Sequence, residues 1–143
     1  MGLFIQGCLP FAGNVAGLRD WANRVGLPTV PERASAAFLH GAPGQAFDAS
    51  VEGTKLVLVS SDDGICSVAT DKATQQAVIE ALETGLRQAA LAFRLVIERD
   101  DAHQTEIHDH EYLAARGKEG WRILAATVKD QSGGEAMLTA ARE

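Results

Sequence analysis

The chain has 143 residues, of which 46% are hydrophobic and 22% charged, and a formal net charge of −6. This length and composition are typical of one globular domain, which can bury about two-thirds of the surface of its unfolded chain. The negative charge, with 13 scattered Lys and Arg residues, argues against nucleic acid as a partner. No run approaches the roughly 18 apolar residues that a membrane-spanning helix needs.

Helical periodicity dominates the first 41 residues. Apolar residues recur at helical spacing over residues 14–25, where Asn14 can cap the helix and Gly26 with Pro28 ends it. A second, shorter helix is predicted over residues 30–41, with a proline in its first turn. These two helices precede every predicted strand.

From Gln45 onward, the spacing of the apolar residues changes from the helical period to the alternation that is typical of strands. This change predicts three strands joined by tight turns, at residues 45–51, 55–60 and 65–70. The middle strand is apolar throughout, which predicts a central position in the sheet.

A long helix is predicted over residues 72–91, capped by Thr70 or Asp71. One apolar stripe runs along it, and Gly85 within that stripe predicts close packing on the sheet. The helix therefore covers one face of the sheet.

The last third predicts an antiparallel meander of four strands, at residues 94–98, 106–114, 121–129 and 135–141. The whole chain is then one α+β domain over residues 1–143. It comprises two N-terminal helices, an antiparallel sheet of about six to seven strands and one long helix packed on a face.

The two cysteines, Cys8 and Cys66, belong to no CxxC pair, which argues against a redox motif or a paired-cysteine zinc site. Joined, they would close a loop of about 58 residues, and the chain-entropy model gives about 4 kcal/mol of stabilisation for it. The alternative is two buried free thiols in a cytoplasmic protein. The N-terminus carries no basic region and no apolar core of a signal peptide, so an exported protein would be present here in its mature form.

The histidines form the one cluster with metal-binding potential in the sequence. In a strand, alternation places Glu106, His108, His110 and Tyr112 on one face, with His103 just before them. Same-face Cα atoms lie about 6.5–7 Å apart, so two imidazoles could converge on a metal ion. The alternative is a polar, solvated face of the sheet, which an H-x-H pair also fits.

Carboxylates cluster at the end of the strand predicted over residues 94–98. We interpret Glu98, Asp100 and Asp101 as a solvated turn rather than a set of carboxylates for hydrolysis or metal binding. No G-x-S-x-G motif and no phosphate-binding loop occurs. The sequence therefore predicts a non-catalytic protein without a cofactor.

Four short motifs resemble a known family, and they lie at Phe4–Cys8, Phe38–Phe47, Asp63–Val68 and Ala136–Ala140. In this order they are similar to those of small, uncharacterised, exported proteobacterial proteins (periplasmic or lipoprotein-like) with two motif cysteines. The resemblance implies export and a disulfide between Cys8 and Cys66. It implies no activity.

Two functional hypotheses follow from these patterns. The first is a periplasmic or secreted protein that acts by binding another protein, such as a basic toxin that it neutralises as an immunity protein, or a secretion-system component. The second is a small-ligand or metal-binding module that uses His108 and His110, with His103 and Glu106 as further ligands.

Overall fold

The N-terminal segment folds into four short helical pieces before the sheet begins. A π-helical turn, Phe4–Cys8, continues into α1 (Leu9–Phe11), and α2 (Val15–Arg24) and α3 (Glu32–Leu39) follow. The side chain of Asn14 accepts a hydrogen bond from the Gly17 N–H, which confirms the predicted cap of α2. The computed structural model describes residues 1–130 and 132–143, and the statements below refer to these residues.

Seven strands and one long helix make up the rest of the described chain. The strands are β1 (Gly44–Asp48), β2 (Leu56–Ser61), β3 (Cys66–Ala73), β4 (Ala92–Asp100), β5 (Ile107–Arg116), β6 (Glu119–Val128) and β7 (Gly134–Arg142). The long helix α4 spans Gln75–Gln88, between β3 and β4. The predicted α+β class with its antiparallel sheet is confirmed.

The strands form one antiparallel sheet in the order β1-β2-β3-β7-β6-β5-β4. The C-terminal strand β7 pairs with β3 on one side and with β6 on the other, which joins the two halves of the chain. The strands β1 and β4 are the two edges of the sheet. The predicted central strand, β2, lies second from the β1 edge, and its middle four residues are buried.

The main core lies between one face of the sheet, called the inner face here, and the helices that cover it. Leu82 and Leu86 of α4 are fully buried there, each worth about 1.5–3 kcal/mol of burial free energy. Trp121 donates its indole N–H to the Leu9 carbonyl at 2.8 Å and so ties β6 to the N-terminal segment. A smaller cluster on the outer face packs α3 against β1 and β2.

Two predictions about the long helix are wrong. Helix α4 begins at Gln75 with Thr74 as its cap, because residues 70–73 continue β3, in which Thr70 and Ala73 pair with β7 on either side of a register shift. Gly85 faces the N-terminal segment and not the sheet: a Cβ at this position would lie 3.0 Å from Ile5 Cγ1. The glycine therefore allows α4 to approach the π-helical turn.

Candidate metal centre

Strands β4 and β5 place four ionisable side chains on the inner face at the open end of the sheet. Glu98 pairs with His110, and Asp100 pairs with His108, in the antiparallel register of the two strands. Directly opposed residues in such a pair share a face, with Cβ atoms about 4.5–5.5 Å apart. The strand alternation that predicts a shared face for His108 and His110 therefore also brings two carboxylates to it.

Glu98, His108 and His110 form a compact donor set. Each offers one ligand atom, and these atoms all lie within 4.8 Å of one another. Nε2 of His108 lies 3.2 Å from Glu98 Oε1, and Nε2 of His110 lies 3.4 Å from the same oxygen. Two imidazole nitrogens and one carboxylate oxygen at this spacing suit a divalent transition-metal ion.

A second carboxylate orients His108. Asp100 Oδ1 lies 2.9 Å from Nδ1 of His108, while Asp100 Oδ2 accepts a hydrogen bond from Lys129 Nζ at 3.1 Å. Metal-binding histidines commonly donate their second ring N–H to a carboxylate in this way, which fixes the tautomer and turns the other nitrogen toward the ion. The hydrogen bond to Asp100 raises the pKa of His108, against the opposing effect of burial.

The surroundings of His110 shift its pKa in the direction opposite to that of His108. Its side chain is 8% exposed, and burial lowers its pKa, which favours the neutral form of the ring. Its Nδ1 has no hydrogen-bond partner among the described residues. A buried unpaired nitrogen costs about 1–3 kcal/mol of stability. The neutral imidazole is the form that binds metal ions.

Helix α4 covers the buried side of this cluster. Tyr112, the next inner-face residue on β5, donates its hydroxyl to Glu83 Oε2 at 2.8 Å. Burial, followed by this hydrogen bond, raises the pKa of Tyr112, so the phenol remains protonated. The cluster is therefore closed toward α4 and accessible from the β4 edge, where the Glu98 side chain is half exposed.

The structure brings together two of the four metal ligands that the sequence predicts. His108 and His110 meet on β5, whereas His103 and Glu106 lie in the exposed turn between β4 and β5, outside the cluster. The third donor, Glu98, is a residue that sequence reasoning assigned to a solvated turn. Glu98 and Asp100 instead lie within β4, which extends two residues past its predicted end. The signal that could have found them is the hairpin register next to the turn, where paired residues from Ile97 to Asp100 have numbers that sum to 208.

The cysteines take no part in this centre, because Cys8 and Cys66 are joined in a disulfide. The predicted pairing is confirmed, and the bond fits an oxidising compartment. It connects the π-helical turn to β3, and both residues are buried. The donor set near His108 is therefore made of nitrogen and oxygen atoms only.

Comparisons with known proteins give no further assignment. Neither a protein-family model, nor a curated protein, nor a solved structure matches this chain. The resemblance to exported proteobacterial proteins therefore stays a prediction. Within the described residues, none of the helices has the length and apolar composition needed to cross a bilayer.

Proposed function

We propose that this protein binds a divalent transition-metal ion through Glu98, His108 and His110. The observation that carries the proposal is the convergence of their three ligand atoms within 4.8 Å, with Asp100 behind His108. Zinc, nickel and copper(II) accept this donor set, whereas copper(I) prefers thiolate and thioether ligands. The disulfide supports placing the protein in the periplasm or outside the cell.

Calorimetry on metal-free protein at neutral pH tests this proposal. We expect one equivalent of zinc or copper(II) to bind with micromolar affinity or better, and the double substitution His108→Ala/His110→Ala to abolish the binding heat. His40→Asn is the matched control, because His40 lies at the end of α3 with a left-handed backbone (φ 51°) that asparagine tolerates. Wild-type protein that gives no binding heat with any of the three metals would refute the proposal.

A second candidate function is binding to another protein, and the uncovered outer face of the sheet favours it. In the described chain, α3 packs on this face over β1 and β2, while no helix lies on it over β5, β6 and β7. Leu113, Leu124 and Met137 are half-buried there. The net charge of −6 suits a basic partner, such as a toxin that an immunity protein neutralises.

A pull-down from envelope extract separates the two candidate functions. A protein partner would be recovered in stoichiometric amount by wild-type protein and by His108→Ala/His110→Ala. It would be lost with Leu124→Glu, which places a charge in the middle of the outer face. Equal recovery by Leu124→Glu and wild-type protein would exclude this face as the binding surface.

A further inference from the structure

We propose that the metal ion bound by Glu98, His108 and His110 keeps one coordination position open at the β4 edge, and that a small monoanion binds the ion there. This inference rests on the proposed metal binding and names the ligand class of that site. Three features of the structure support it: a set of three donors, a side of that set that faces solvent, and a charge balance that one negative charge completes.

The described chain supplies three donors to the ion. The group of closely spaced ligand atoms belongs to Glu98, His108 and His110. Two neighbouring oxygen donors are engaged elsewhere. Asp100 contacts Nδ1 of His108, whereas Nε2 faces Glu98, so Asp100 lies behind the ring as seen from the ion. The Tyr112 hydroxyl donates to a carboxylate of α4. A zinc ion held by two histidines and one carboxylate binds an external ligand in its fourth position.

The open position faces solvent at the β4 edge. Strand β4 is the last strand in the sheet order and pairs only with β5 among the described strands. The Glu98 side chain is half exposed, whereas that of His110 is buried. Leu95, the next inner-face residue of β4, pairs with Tyr112 and is 44% exposed. Because α4 covers the opposite side, an anion reaches the ion past Glu98 and Leu95 without displacing a helix.

The charges around the donor set leave one positive charge for a ligand to offset. A divalent ion with the carboxylate of Glu98 carries one net positive charge when both imidazoles are neutral. The carboxylates next to the donor set are each paired with a basic side chain. Asp100 lies 3.1 Å from Lys129, and Glu83 lies 3.4 Å from Arg87. An unbalanced charge in a partly buried site is costly, so a monoanion that makes the centre neutral is the favoured ligand.

Absorption spectroscopy of the copper(II)-loaded full chain with azide tests the inference. Azide is a monoanion whose bond to copper(II) produces a charge-transfer band. We expect this band to appear and to saturate at one azide per copper ion. Acetate should displace azide from the copper ion. Acetamide has nearly the same shape as acetate and no charge, so it should leave the band unchanged.

Substitution at the edge tests where the coordination position opens. Leu95→Glu places a carboxylate next to Glu98 on the inner face. It should weaken azide binding by about 10-fold, because like charges repel, while one equivalent of copper(II) still binds. Val51→Glu is the matched control with the same change of charge. Val51 is exposed in the turn between β1 and β2, at the other edge of the sheet, so this variant should bind azide like wild-type protein.

The other outcomes separate this inference from the proposed function. Protein that binds one equivalent of copper(II) in calorimetry but shows no band at high azide concentration would overturn the open position and leave the metal site standing. The inference would also be overturned if acetamide displaced azide as well as acetate does, or if Leu95→Glu bound azide as tightly as wild-type protein. The same band from copper(II) with His108→Ala/His110→Ala would overturn it too. Absence of metal binding in calorimetry would refute the proposed function itself.

Discussion

Removal of the Cys8–Cys66 disulfide is the perturbation whose effect on stability follows most directly from the structure. The bond closes a loop with a sequence separation of 58, and both cysteines are buried. In the chain-entropy model, closing a loop of this size lowers the conformational entropy of the unfolded chain, which raises the free energy of unfolding by about 4 kcal/mol at 25 °C. Since a domain's whole free energy of unfolding is about 5–15 kcal/mol, Cys8→Ala/Cys66→Ala should lose a large fraction of it.

Urea unfolding followed by tryptophan fluorescence measures this loss. We expect the unfolding free energy of the double variant to fall by about 4 kcal/mol. The dependence on urea should steepen, because an unfolded chain without the cross-link exposes more surface. Alanine at both positions avoids new buried polar groups, so it isolates the cross-link better than serine would. A loss below about 1 kcal/mol would refute the argument that this loop constrains the unfolded state.

Three further predictions concern single side chains. His110→Leu should raise the unfolding free energy of the metal-free protein by about 1 kcal/mol in urea unfolding, because it removes a buried unpaired nitrogen. A loss of stability would show instead that the histidine stabilises the fold. Burial, followed by the nearby Asp101, raises the pKa of Asp109 in the folded protein. The ionised carboxylate therefore destabilises the fold at pH values above this raised pKa. The effect disappears at pH values below the pKa that Asp109 has in the unfolded chain. Asp109→Asn should therefore stabilise the protein by about 0.5 kcal/mol at pH 7 and have little effect near pH 3, and an equal effect at both pH values would contradict this cause. Trp121→Phe removes the donor to the Leu9 carbonyl and should cost about 1–3 kcal/mol in the same assay, whereas an unchanged midpoint would mean that water replaces the indole N–H.

Most of the elements could be predicted because their signals are local. The cap at Asn14 and the alternation along β5 depend on residues a few positions apart, and both are confirmed. The errors come from competition over longer distances. Residues 70–73 have no strong preference of their own, and pairing with β7, more than 60 residues away in sequence, extends β3 at the expense of α4.

The sequence by itself determined the α+β class, the helices at the N-terminus, the strand that carries His108 and His110, and the one pair of cysteines that a disulfide could join. These follow from periodicity, from turn residues and from a count of two cysteines. The tertiary structure decided the composition of the candidate metal centre. Glu98 and Asp100 become neighbours of the histidines only when the register of β4 on β5 is set, and register depends on which faces are buried. The position of the centre at an open edge depends on β7 inserting between β3 and β6, a pairing that no local pattern encodes.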